Sequence, residues 1–264
     1  MDMELIVLGS GTSHGIPMVG CACAVCRSTH SRDRRLRSSL YVKGNGGERI
    51  IVDTGPEFRL QAIRAGMDRL DAILLTHAHA DHVHGMDDIR PLSRHGEIPV
   101  YGNGATIGEL KERFSYIFKE TQMGGGKPRL EPRIAEAQLQ IGALTITPVP
   151  VVHGALPILG WVFQEGNFRA AYITDASRVP ESSRSMAAAV DILILGALRR
   201  RPHETHFNFD QAIELSRAIG AKRTYLTHLC HDHSHRDIQA YCKAFKTIHP
   251  AYDGLTLRGG TANS

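Results

Sequence analysis

The chain predicts a layered α/β fold, and three observations carry that prediction. Apolar runs rich in β-branched residues alternate with segments of helical periodicity, a pattern that builds sheets covered by helices rather than an all-helical or all-β fold. Five of those runs end on a histidine or an aspartate, as strands do when a sheet edge carries a site. No repeat, low-complexity tract or linker divides the 264 residues, and 42% hydrophobic content is ample for a buried core, so residues 1 to 264 read as a single domain.

In chain order, MELIVLGSG predicts a first strand running into a glycine turn. SSLYVK and ERIIVD flank GNGG at 44 to 47 and predict a hairpin, the second arm ending on Asp53. LDAILLTH ends on His77. GATIGELKERFSYIFKE predicts a helix, and GGGKPRLEPR, at 124 to 133, breaks its pattern as a candidate mobile loop or lid. LTITPVPVVH ends on His153, AAYITD on Asp175 and RTYLTH on His228. Between the last two, NFDQAIELSRAIG predicts a helix with Asn208 as N-cap, Gln211 completing the capping box and Gly220 as the stop.

Composition narrows the function. The start passes straight into a strand, without the basic and apolar regions of a signal peptide. The longest apolar run, AAAVDILILGAL, is broken by Asp191 and falls short of the ~20 residues that span a bilayer. A cytoplasmic protein is expected. Five cysteines, three of them crowded together, argue for metal ligation rather than disulfides, and 15 histidines point the same way. A net charge of +4 suits an anionic substrate but is too small to announce nucleic acid. The basic runs RDRRLR at 32 to 37 and RRR at 199 to 201 read as solvated faces.

HAHADH, residues 77 to 82, is the chemical centre of the sequence. In an extended segment His77 and His79 share a side, and the turn that follows aims Asp81 and His82 at a second point nearby. That spacing suits two neighbouring metals, and imidazole with carboxylate favours Zn, Mn or Fe. His84 and Asp87 are expected to cap or support the next helix. Ser13 and His14 read as turn residues, and His233 and His235 as hydrated.

HAHADH, with Asp53, His153, Asp175 and His228 in that order, resembles the metallo-β-lactamase superfamily over nearly the whole chain. The resemblance implies an αββα four-layer sandwich. It implies that His77, His79 and His153 hold one metal and Asp81, His82 and His228 the other, with Asp175 bridging. Asp53 would then support the metal loop by hydrogen bonds rather than by ligation. GSGTSHGIPMVGCACAVC, followed by THFNFDQAIELS and THLCH, is similar to the PhnP type, cyclic phosphodiesterases that open 5-phosphoribosyl 1,2-cyclic phosphate. The implied mechanism is a hydroxide shared by two metals, Mn or Zn, about 3.5 to 4 Å apart, attacking phosphorus in line. A histidine then protonates the leaving alkoxide. From the residues alone His203 and His206 stand level for that role; the resemblance selects His206, and Asp81 is counted with it among the catalytic groups. The expected partner is a small phosphorylated sugar or nucleotide, and relatives of this type imply a homodimer.

GCACAVCR supplies Cys21, Cys23 and Cys26, one ligand short of a closed zinc site. The residues leave Cys230, His231, Cys242 and His14 open as the fourth. PhnP-type proteins carry a histidine three residues past the last active-site histidine, which implies His231 and a structural zinc. Two rival functions remain. One is a nucleotide phosphodiesterase or tRNA-processing nuclease, although no insertion is long enough for a tRNA-gripping arm. The other is a non-catalytic metal-dependent binding protein, although such relatives usually lose ligands and all seven stand here.

Overall fold

The computed structural model describes residues 3–119 and 126–259. Among them the strands form two seven-stranded sheets. The first contains β1 (Glu4–Gly9), β2 (Ser39–Lys43), β3 (Arg49–Val52), β4 (Ala72–Leu74), β5 (Ile98–Gly102) and β6 (Leu130–Ile134) side by side. The second contains β7 (Leu139–Ile141), β8 (Leu144–His153), β9 (Leu156–Glu165), β10 (Phe168–Ile173), β11 (Ile192–Gly196), β12 (Arg223–Thr227) and β13 (Ile248–Pro250). The last strand, β14 (Thr256–Arg258), returns to the first sheet beside β1.

Burial explains the layers. Leu5, Val42, Val52 and Leu74 of the first sheet meet Ile146, Trp161, Tyr172 and Ile194 of the second, all buried, in a core between the sheets. The outer face of the first sheet is covered by α1 (Phe58–Arg64), α2 (Ala80–Val83), α3 (Gly104–Arg113) and α4 (Ser115–Phe118), through residues such as Phe58, Val83, Leu110 and Ile117. That of the second is covered by α5 (Glu181–Met186), α6 (Phe209–Ile219) and α7 (His235–Cys242), through Ala187, Phe209, Ile213 and Ile238. The result is the αββα sandwich. No helix among the described residues is long and apolar enough to cross a membrane.

Strand direction brings the polar ends together. β3 and β4 are parallel, and so are β10, β11 and β12. β8 is antiparallel to β9, which is antiparallel to β10, so β8 runs with β10. Asp53, His77, His153, Asp175 and His228 therefore all leave or end their strands at C-terminal edges. The GNGG turn joins β2 and β3 as an antiparallel pair. α6 carries the full capping box of Asn208 and Gln211 and stops at Gly220, in left-handed conformation at φ 71°.

Three expectations need correction. The helix after β5 breaks at Phe114 into α3 and α4, and its last predicted residue, Glu120, lies outside the described residues. Gly124 and Gly125 of the predicted lid also lie outside them, while the end of that segment is the edge strand β6. Pro132 is compatible with a strand there because an edge strand leaves one row of backbone groups unpaired. The run RDRRLR is only in part a solvated face: Arg32 and Arg34 are exposed, but Arg35 is fully buried, its guanidinium donating to the carbonyls of Cys230 at 2.6 Å and His233 at 2.9 Å. Gly11 permits the close approach of this segment, since a Cβ there would lie 2.7 Å from the Arg35 carbonyl oxygen.

Candidate active site

Three of the strand-end residues adopt backbone that only glycine adopts freely: Asp53 at φ 60°, Asp175 at φ 56° and His228 at φ 57°. Such strain persists where the surroundings over-determine it, and here it turns each side chain back into one cluster. Gly55 keeps the Asp53 turn pressed on the HAHADH loop, since a Cβ there would lie 2.3 Å from the Asp81 carbonyl oxygen.

Donor atoms of His77, His79 and His153 lie within 4.8 Å of one another, as do those of Asp81, Asp175 and His228, and those of His77, His82 and Asp175. His82 Nε2 stands 3.1 Å from Asp81 and 3.4 Å from Asp175, and His228 Nε2 stands 3.2 Å from Asp175. Asp175 thus sits between the two predicted ligand sets.

Hydrogen bonding assigns the tautomers. Thr76 spends its hydroxyl proton on Asp53 at 2.8 Å, so its oxygen accepts from His77 Nδ1 at 3.0 Å. Ser38 donates to the Gly11 carbonyl at 2.9 Å, so its oxygen accepts from His228 Nδ1 at 3.3 Å. His82 Nδ1 meets the Asp53 carboxylate at 2.7 Å, and His153 Nδ1 donates to the Thr205 carbonyl at 2.8 Å. Four imidazoles therefore turn Nε2 inward. His79 turns Nδ1 into the same space, 2.9 Å from His77 Nε2. Converging lone pairs and carboxylates repel unless a cation lies among them, and His82 Nε2 is a buried nitrogen with no hydrogen-bond partner among the described residues. The donor set fits divalent metal.

Electrostatics agree. Burial holds His77 well below its ordinary value and also lowers His79 and His228, so these rings are neutral at pH 7, the form in which imidazole can bind a metal. Burial alone would raise Asp175, but His228, His82 and His77 hold its carboxyl well below the usual range. His82 is pushed up despite its burial, by Asp175, Asp81 and Asp53, which marks a strongly negative pocket.

Asp53 accepts from the Thr76 amide and hydroxyl and from His82 rather than facing the open cluster. His206 lies beside Asp175, Nδ1 to Oδ1 3.7 Å, with its ring 4.7 Å from that of His153 and 4.8 Å from that of His228. His203 stands one ring further out, 5.1 Å from His206. His84 closes α2, the helix before it rather than the expected next one, and the Asp87 side chain caps nothing and instead accepts from the Tyr116 hydroxyl at 2.8 Å. Thr12, 3.0 Å from His228 Nε2, together with Ser38, Thr76, Thr174 and Thr205, went unread in the sequence. Thr76 and Thr174 had a signal, since each directly precedes a site residue, His77 or Asp175.

The cysteine loop forms a second cluster. His231 Nδ1 lies 3.3, 3.4 and 3.5 Å from the sulfurs of Cys21, Cys23 and Cys26. A tetrahedron with ordinary zinc bond lengths has N-to-S edges of ~3.6 Å. The Cys26 amide, donating to Cys23 Sγ, pulls the Cys23 thiol down to about 6, while burial and the neighbouring Cys21 and Cys23 sulfurs push the Cys26 thiol up to about 11. Cys230 is buried apart from the cluster, its sulfur accepting from the Asp232 amide.

Residues 48–229 match the beta-lactamase superfamily domain. A Porphyromonas gingivalis protein named octanoyltransferase is 38% identical over 260 residues, 96% of this chain and 51% of that protein, so the chain spans about half of that relative. A solved diphosphatase of the PhnP family has a TM-score of 0.88 at 39% identity, covering 98% of this chain and 99% of its own. Zinc-bound PqqB of Methylobacterium extorquens, at 20% identity and a TM-score of 0.79 over 96% of this chain and 99% of its own, shares the fold.

Proposed function

The chain belongs to the beta-lactamase superfamily, in its PhnP-type branch, and from that premise we propose that it is a metal-dependent phosphodiesterase opening a small cyclic phosphodiester such as 5-phosphoribosyl 1,2-cyclic phosphate. One observation carries the reading: His206, outside the seven residues assigned here as ligands, lies against the cluster between the rings of His153 and His228, its donor atom within 4.8 Å of those of His153 and Asp175. Phosphodiester cleavage calls for such a group, because a departing alkoxide takes up a proton and histidine is the usual donor near neutral pH.

In this reading His77, His79 and His153 hold one divalent cation, Mn or Zn, and Asp81, His82 and His228 a second, with Asp175 shared. When bound, the cations supply Lewis acidity and a nucleophile at neutral pH. The chain's own groups do the positioning. Asp53 fixes the ring of His82, and the bond from His153 to the Thr205 carbonyl fixes both that ligand and the loop carrying His206. Burial and the nearby His228 hold His206 down to about 3, with Asp175 acting in the opposite direction. An anionic phosphate beside the ring also acts upward, so substrate arrival favours the protonated donor. A structural zinc on Cys21, Cys23, Cys26 and His231 ties the N-terminal loop to the segment carrying His228. The five free cysteines support a reducing, cytoplasmic setting, and a homodimer is part of the same proposal.

A second reading is hydrolysis of a diphosphate ester, favoured by the 39% identical PhnP-family diphosphatase. The two separate in one assay of the metal-loaded protein on ribose cyclic phosphate, bis(p-nitrophenyl) phosphate, a dinucleoside diphosphate and a tRNA precursor. The cyclic ester is expected to give the highest kcat/KM. A leading diphosphate selects the second reading, and cleavage of the precursor alone overturns both. No turnover with both metals bound indicates a metal-dependent binding protein.

A further inference from the structure

A second cavity, of about 430 Å³, shares no residue with the metal-ligand clusters. It lies at the end of the sandwich, walled by β12, β13, α7 and the segment leading to β14, with Arg32 reaching in from the loop that follows the cysteines. Its charge is one-sided: Arg32, Lys243 and Lys246 line it, and none of its lining residues is an aspartate or glutamate. The nearby Asp33 is committed elsewhere, to the His235 amide at 2.6 Å and the Ser28 hydroxyl at 2.7 Å.

The interior is aromatic. Arg32 lies 4.1 Å over the ring of Tyr252, His235 meets the same ring edge-on at 5.7 Å, and His249 lies 5.4 Å from Tyr225. The sequence reading of His235 as hydrated is wrong. It is 3% exposed, and its Nδ1 has no hydrogen-bond partner among the described residues. Burial beside Arg32 and Arg35 lowers it to about 4, so at pH 7 it is a neutral imidazole with hydrogen-bonding capacity unspent.

Three cations without a counter-charge call for a polyanion, and ring faces call for a planar group. The volume falls within the ordinary range of small-ligand sites, ~300 to 1,000 Å³. We propose that this cavity binds a nucleotide, a nucleoside diphosphate with its phosphates on Arg32, Lys243 and Lys246 and its base against the aromatic wall. The site stands whether or not the metal centre cleaves cyclic phosphodiesters. It has a structural link to that centre, because Arg32 and His235 belong to the two segments that the cysteine cluster and His231 draw together.

The test is calorimetric titration of the metal-loaded protein with ADP, repeated on the K243E/K246E variant, whose substitutions fall on exposed positions away from the metal centre. One saturable ADP site is expected, weakened at least tenfold in the variant, with turnover of bis(p-nitrophenyl) phosphate unchanged. Adenosine is expected to bind far more weakly than ADP. Absence of a saturable site, ADP binding undiminished in the variant, or adenosine binding as tightly as ADP would overturn the proposal.

Discussion

At the scale of the residue, the decisive feature is which nitrogen of each histidine carries its proton. Four Nδ1 atoms are committed to Thr76, Asp53, Thr205 and Ser38, which turns four Nε2 atoms towards the cluster. Removing one anchor should cost affinity without removing a ligand. In Asp53→Ala the His82 ring loses its carboxylate partner, and metal affinity is expected to fall about 10- to 100-fold, read by competition with a chelator. Unchanged affinity would mean that Asp53 only fills space. The metal-binding residue types were legible because a histidine or aspartate closing an apolar run is conspicuous. Their hydroxyl partners were not, since Ser38 and Thr12 lie 190 and 216 residues from His228 and no local pattern links them. His235 was misread for the same reason: its burial comes from Arg32, Tyr252 and other distant parts of the chain.

At the scale of the element, strand endings and helix caps were legible because each depends on a few neighbouring residues. α6 begins and ends where Asn208, Gln211 and Gly220 put its limits. Asn208→Ala removes the half of the capping box in which the side chain accepts from the Gln211 amide, and should lower stability by about 1 kcal/mol, seen as a lower denaturant midpoint at unchanged slope. An unaltered midpoint would show that packing of Phe209, Ile213 and Ile219 alone holds the helix. Arg35 and β6 were misread because charge and proline content describe exposure on average, whereas a buried guanidinium between two carbonyls or an edge strand is set by tertiary position.

At the scale of the whole molecule, alternating runs gave α/β layering, but division into two sheets with one core between them rests on pairings such as β1 with β14, far apart in sequence. Only the family resemblance foresaw the four layers. The cysteine cluster acts at this scale too, since it and the Arg35 bonds join the beginning of the chain to the segment after His228. His231→Ala should lose one zinc per chain and lower the Tm, while Cys230→Ala keeps that zinc. The reverse pattern in metal analysis would move the fourth ligand to Cys230. The central claim is that phosphodiester cleavage here depends on a proton delivered by His206. Its most direct measurement compares His206→Ala with the wild type on two esters, one with a sugar alkoxide leaving group and one with p-nitrophenolate, at verified metal content. The account predicts a loss of about 10²- to 10⁴-fold on the alkoxide ester and a much smaller loss on the p-nitrophenyl ester, which needs no proton. Equal losses on both, or loss of the active-site metals with the imidazole, would contradict it.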